Sequence, residues 1–233
     1  MKYMGSKRRI AKNILPVMLS EFEKNNCTTW VEPFVGGANM LDKVPKHIPR
    51  IGADIHEELV EFFKYLQTEN PEIPFVGEDL YKHIQKNKTD YPKWLVGYVG
   101  FSLSFGGKWF GGYRRDKAGV RNYENESQQN VQAQQNVLAD VKWVCSSYDS
   151  LDIPANSLIY CDPPYRDTTG YKNKFSHDAF YVWCRNKKKE GHTVFVSEYW
   201  MPDDFTCVWE KEIVSSLTKD TGSKKGTERL FKL

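Results

Sequence analysis

Apolar residues recur at helical spacing near the start of the chain, where Ile10, Ile14, Val17, Met18 and Phe22 predict an amphipathic helix. Two short strand-like runs follow, around residues 28–33 and 50–54. Leu59, Phe62, Phe63 and Leu66 then restore the helical period, and Asn70-Pro71-Glu72-Ile73-Pro74 closes that helix. Beyond residue 140, the runs Lys142 to Cys145, Leu158 to Cys161 and Thr193 to Ser197 read as strands, and Ser176 and Gly191 bracket a helix as cap and terminator. Cys207 to Leu217 and Glu228 to Leu233, about a Gly/Lys/Thr-rich turn, predict a closing antiparallel hairpin. This alternation predicts an α/β fold with a largely parallel sheet.

A segment from about residue 76 to 140 interrupts the pattern, and 233 residues suffice for one core with a modest inserted lobe. The expected organisation is a domain made of residues 1–75 and 141–233, with 76–140 as a mainly helical insertion. That insertion carries a Gly-rich stretch, residues 106–117, in which Lys108, Trp109, Tyr113, Arg114, Arg115 and Lys117 interleave basic and aromatic side chains, followed by Arg121. Such a loop suits phosphate neutralisation and stacking beside bases. Read alone, it better suits a surface loop whose aromatics plug the core and whose charges face solvent, and its position between the two motif blocks is what favours DNA contact.

The most specific chemistry lies at Asp162-Pro163-Pro164-Tyr165, directly after the apolar run Leu158-Ile159-Tyr160-Cys161. A strand ending this way presents groups at its carboxyl edge, where open α/β sheets bind ligands. Two prolines stiffen the chain and leave carbonyls without competing N–H donors. One carboxylate, one rigid carbonyl and one aromatic face suit an exocyclic amine on a stackable ring, such as N6 of adenine. Upstream, the strand around Thr29 to Glu32 runs into Pro33-Phe34-Val35-Gly36-Gly37-Ala38, where two glycines permit a tight turn and close approach to a ligand. The strand ending at Asp54 offers an acid at the spacing at which ribose hydroxyls are met in nucleotide-binding folds.

The order Tyr3-Met4-Gly5-Ser6-Lys7, Glu32-Pro33-Phe34-Val35-Gly36-Gly37, Ala53-Asp54 and Asp162-Pro163-Pro164-Tyr165 resembles the Dam-like DNA adenine-N6 methyltransferases of bacteria and phages, in their alpha motif order. The resemblance covers both ends of the chain, and residues 76–140 are much less family-like. It implies a Rossmann-like S-adenosylmethionine-dependent methyltransferase sheet, a site-specific adenine DNA methyltransferase activity on duplex DNA, and S-adenosylhomocysteine as product. Asp162, Pro163, Pro164 and Tyr165 would then hold a flipped adenine. Tyr3, Lys7, Glu32, Pro33, Phe34, Gly36, Gly37, Ala38, Asp54 and Asp162 would line the cofactor, with Lys7 near the methionine carboxylate. Tyr148 and Asp149 would lie near its adenine. Ala38 departs from the family's Phe-x-Gly-x-Gly pattern, so the loop path there is open. Locally, Lys7 suits a solvated helix start and Asp54 a helix cap before His56, and Asp149 suits a turn; family order favours the ligand roles for the first two.

Other acceptors fit the same fold: cytosine N4, or an RNA or protein amide. An inactive DNA-binding module is the reading from another class, and a companion restriction endonuclease is not determinable. The formal charge of +3 is only mildly basic, so a nucleic-acid surface must come from local clustering. Five scattered cysteines predict buried free thiols of a reducing compartment. No spacing implies a metal, and no apolar stretch approaches a membrane span. The expectation is a cytoplasmic monomer or weak dimer. Ser176-His177-Asp178 cannot adopt a relay geometry on one helical turn, and Lys187 to Lys189 fits a solvated helix end.

Overall fold

The computed structural model describes residues 1–116, 118–166, 175–214 and 225–233. Its centre is a seven-stranded sheet of β1 (Thr29–Glu32), β2 (Arg50–Asp54), β3 (Lys142–Cys145), β4 (Ser157–Cys161), β5 (Thr193–Glu198), β6 (Thr206–Val214) and β7 (Lys225–Lys232). The spatial order is β3-β2-β1-β4-β5-β7-β6. The first five are parallel, and the β6–β7 pair closes the sheet antiparallel to β5. The predicted α/β class and the tail hairpin are both present. The part of the predicted hairpin at residues 215–224 lies outside the described residues.

β1 and β4 are neighbours, pairing Val31 with Ile159, and the order of connections reverses between them. That reversal leaves a crevice at the carboxyl ends, because the crossovers on either side of it run to opposite directions in the sheet. Burial of every residue of β1, β4 and β5 explains their unbroken apolar reading. Helices α1 (Ala11–Lys24), α2 (Glu57–Tyr65) and α6 (His177–Lys189) supply the covering layers. Ile14, Met18 and Phe22 of α1 and Leu59, Phe62 and Phe63 of α2 turn into the core, as their spacing requires. Ser176 caps α6 through the Ala179 N–H, and Gly191, in the left-handed region at φ +93°, ends it.

Residues 76–140 form α3 (Glu78–Lys86), α4 (Lys93–Gly97), a π turn at Tyr98–Ser102 and α5 (Tyr123–Gln135). Their buried side chains Tyr81, Val99, Phe101 and Val131 join the same core cluster as Ile14 and Phe62. Residues 76–140 therefore pack onto the sheet's helices through shared apolar contacts. Cys27, Cys161 and Cys184 are buried free thiols, but Cys145 and Cys207 are exposed, correcting that part of the expectation. Both lie on edge strands, where one flank has no neighbour to cover it. No helix among the described residues is long and apolar enough to cross a membrane.

Candidate active site

The crevice is built from three strand ends. After β1, the chain turns through Phe34 to Ala38. Gly36 takes φ +48°, and a Cβ there would strike the Tyr3 ring at 2.7 Å, while one on Gly37 would meet Tyr3 Cβ and Asn39 Nδ2 at 2.6 Å. Glycine is thus required by the close approach of the amino-terminal segment. Ala38 adopts the left-handed region at φ +53°, showing that the loop keeps a glycine-like path despite the methyl group.

At the end of β2, Asp54 Oδ2 accepts from the Gly36 N–H and Oδ1 from the His56 N–H, both at 3.0 Å. The carboxylate ties the glycine turn to the neighbouring strand, and burial raises its pKa above the ordinary value against these bonds. Beside it, Ile55 is 73% exposed, an apolar side chain left in solvent at the ligand edge. Phe34 stacks on Tyr148 at 5.3 Å between ring centres, with Phe180 edge-on to both, which joins two of the sequence-predicted cofactor residues. Asp149 is exposed and accepts from Ser147 Oγ, as a turn residue does.

Glu32 departs from its expected place. Its carboxyl is 2% exposed and accepts from Trp30 Nε1 at 2.9 Å, two residues along the same face of β1. Burial pushes its pKa up to about 8. The side chain lies under the edge, with Pro33 also buried.

Asp162 follows β4, with Pro163 buried behind it. Lys7, on the turn Lys7–Arg9, is 7% exposed, and its ammonium lies 2.9 Å from Asp162 Oδ1. Lys7, expected beside a methionine carboxylate, pairs here with Asp162 and also donates to the Gly5 carbonyl at 3.1 Å. Burial works to lower the Lys7 pKa, but the carboxylates around it hold it above the ordinary value. Burial likewise pushes the Asp162 carboxyl up to about 6, with Lys7 pulling it down. The Tyr165 ring carries the Lys7 ammonium 4.5 Å from its centre, meets Tyr199 edge-on at 4.6 Å, and its hydroxyl donates to Glu228 at 2.7 Å.

Sequence reading missed four supports of this tetrapeptide. Glu228 reaches it from β7, and Glu198, at the end of β5, accepts from the Arg166 N–H at 3.0 Å. Burial pushes the Glu198 carboxyl up to about 7, and its second oxygen has no partner among the described residues. His177 Nε2 lies 3.1 Å from the Pro164 carbonyl, and Tyr199 packs on Tyr165. Only the buried run before Tyr199 hinted at any of them, by placing Glu198 at a strand end.

The Gly-rich loop divides. Gly107, at φ +69°, lets the chain pass the Tyr3 backbone, whose atoms a Cβ would meet at 2.5 Å, and its carbonyl accepts from the Met4 N–H at 3.2 Å. Trp109 packs against His56 and Phe101, and the Tyr113 hydroxyl donates to Glu124. Arg114 is 8% exposed, pairs with Glu126 at 3.1 Å and lies over the Tyr123 ring. Its expected phosphate contact is corrected: the guanidinium is committed to α5. Lys108, Arg115 and Arg121 are exposed, Arg115 being paired with Glu78, and Lys117 lies outside the described residues.

The fold and crevice are those of a Rossmann-like α/β sheet. Residues 3–93 match the family described as D12 class N6 adenine-specific DNA methyltransferase. The chain is 24% identical to the type II methyltransferase M.MjaIII of Methanocaldococcus jannaschii, over 100% of this chain and 96% of that one. It is 26% identical to the modification methylase StsI of Streptococcus sanguinis, over 74% of this chain and 29% of that one. The crystal structure of SMU.472 complexed with SAH matches 73% of this chain and 55% of its own at 13% identity, with a TM-score of 0.26. The match over residues 3–93 and these two relatives agree with the resemblance carried by the motif order. Among the described residues, no group of three His, Cys, Asp or Glu is placed to hold a metal ion.

Proposed function

We propose that this chain transfers a methyl group from S-adenosylmethionine to N6 of an adenine flipped out of duplex DNA. One observation carries the reading: the Asp162 tetrapeptide and the glycine turn leave adjacent parallel strands at the same sheet edge, with Asp54 one strand further on. The donor set fits the cofactor. Gly36 and Gly37 offer backbone without Cβ, and Asp54 keeps lone pairs beyond its two N–H contacts for ribose hydroxyls. Ile55 suits one face of the cofactor adenine, with Phe34 and Tyr148 nearby.

S-adenosylmethionine supplies an electrophilic methyl group on a sulfonium. The amine of adenine is a poor nucleophile, since its lone pair is delocalised into the ring. Asp162 and the Pro163 carbonyl accept its two N–H bonds and favour a tetrahedral nitrogen. Tyr165 stacks on the base opposite the face covered by Lys7. The base leaves the duplex because N6 is paired inside it. Lys108, Arg115 and Arg121 contact phosphates, with residues 76–140 acting as the target-recognition lobe.

The test is modification-sensitive long-read sequencing of DNA from a methylation-free bacterial host expressing the chain, beside an Asp162→Ala strain. N6-methyladenine at one recurrent motif, absent from the variant, is the expected result. Modified cytosine in the same data, or no modified base from a folded, cofactor-binding protein, overturns the adenine assignment.

A further inference from the structure

The Lys7 ammonium serves two carboxylates. Asp162 Oδ1 is 2.9 Å away and Glu228 Oε2 3.9 Å away. Glu228 is 7% exposed and accepts from the Tyr165 hydroxyl, so this residue of β7 touches two of the side chains that frame Asp162. Tyr165 alone needs only an acceptor there, which a neutral side chain would supply. A second carboxylate beside a buried ammonium already paired with Asp162 leaves a net negative charge and calls for another reason.

We propose that Glu228 is a positioning residue of the transfer reaction, holding the counter-charge for Lys7 while Asp162 carries a proton. The inference rests on the N6-transfer reading. In that reaction the N6–C bond forms as the C–S bond breaks, and sulfur keeps the electron pair. The nitrogen becomes cationic and gives up one of its two protons. Asp162, which accepts that N–H bond, takes the proton and becomes neutral. Lys7 would then be a buried ammonium with the Gly5 carbonyl and the Tyr165 ring beside it but no counter-charge, an arrangement costly enough to prevent proton uptake. Glu228 removes the obstacle by moving from 3.9 Å to the 2.9 Å now held by Asp162. As product leaves, Asp162 releases the proton to water and recovers Lys7.

The groups facing Asp162 agree with this division. Lys7 approaches from the amino-terminal turn and Glu32 from the end of β1, with Tyr160 and Tyr165 on the strand and loop of Asp162 itself. Glu198 and Tyr199 face it from the end of β5, and Glu228 from β7. Among these Lys7 alone is cationic, so the two carboxylates nearest it compete for one charge.

Glu228→Gln keeps an acceptor for Tyr165 and removes the charge. Two measurements are made on the full chain: the pH dependence of single-turnover transfer to an adenine-containing duplex, and a carbon-13 NMR titration of the Asp162 carboxyl without cofactor. The variant is expected to lower the transfer rate about tenfold, leave KM for cofactor and DNA within about twofold, and move the Asp162 midpoint about one unit to lower pH. Glu228→Asp, which restores the charge, returns the midpoint and most of the rate. A merely structural role predicts raised KM or lost stability with the midpoint unmoved, and that result in either variant overturns the proposal. If the wild-type chain methylates another acceptor, the adenine reading falls, whereas the NMR midpoints still decide the role of Glu228.

Discussion

Gly36 donates its backbone N–H to the Asp54 carboxylate at 3.0 Å, so the acid at the end of β2 holds the glycine turn that follows β1. The same carboxylate caps the entry to α2 through the His56 N–H. One side chain thus shapes the glycine turn while keeping lone pairs for the ribose proposed to bind there.

Asp54→Ala is therefore expected to weaken S-adenosylmethionine binding by more than the loss of ribose contacts alone, about 100-fold by calorimetry, and to lower stability by about 1–3 kcal/mol. Asp54→Asn, which keeps one acceptor oxygen, should fall between. Equal affinity for wild type and Asp54→Ala would separate Asp54 from the cofactor.

Glu32 sets a pH dependence of stability. Burial raises its carboxyl from 4.5 to about 8 in the folded chain. Between those values the folded state keeps a proton that the unfolded chain has released, so stability falls as pH rises through the window and is unaffected by this group below it. Asp162 and Glu198, raised to about 6 and about 7, act in the same sense over narrower windows. Glu32→Gln preserves the acceptor for Trp30 and should gain about 2–4 kcal/mol relative to wild type on going from pH 5 to pH 8 in urea titrations. Parallel pH profiles for the two proteins would contradict this.

The loop after the π turn should separate by burial. Arg114→Ala is expected to destabilise the fold by about 1–3 kcal/mol, since it removes the counter-charge of Glu126 and one donor to the Ser127 hydroxyl. Lys108→Ala and Arg121→Ala should leave thermal unfolding unchanged, weaken DNA binding, and reduce the slope of log affinity against log salt by about one each. An unchanged slope would return those two side chains to ordinary solvated roles.

The amino-acid pattern alone determined the strands, the covering helices, the hairpin and the Asp162 tetrapeptide. Each is written in residues a few positions apart: apolar period, a serine cap, a terminating glycine, two consecutive prolines. Tertiary structure decided what each charge does. Arg114 and Arg115 are sequence neighbours, yet one is buried against α5 and the other is exposed. Lys7 meets Asp162, and Glu228 completes the group from the last strand, because the sheet order brings the two ends of the chain to one edge. Glu32 and Asp54 both end strands, but one points beneath the edge and the other into the turn. Local periodicity follows from backbone geometry and hydrophobic burial, which neighbouring residues express together. The partner, protonation and exposure of a charged side chain depend on which distant element covers it, and only the packed fold supplies that element.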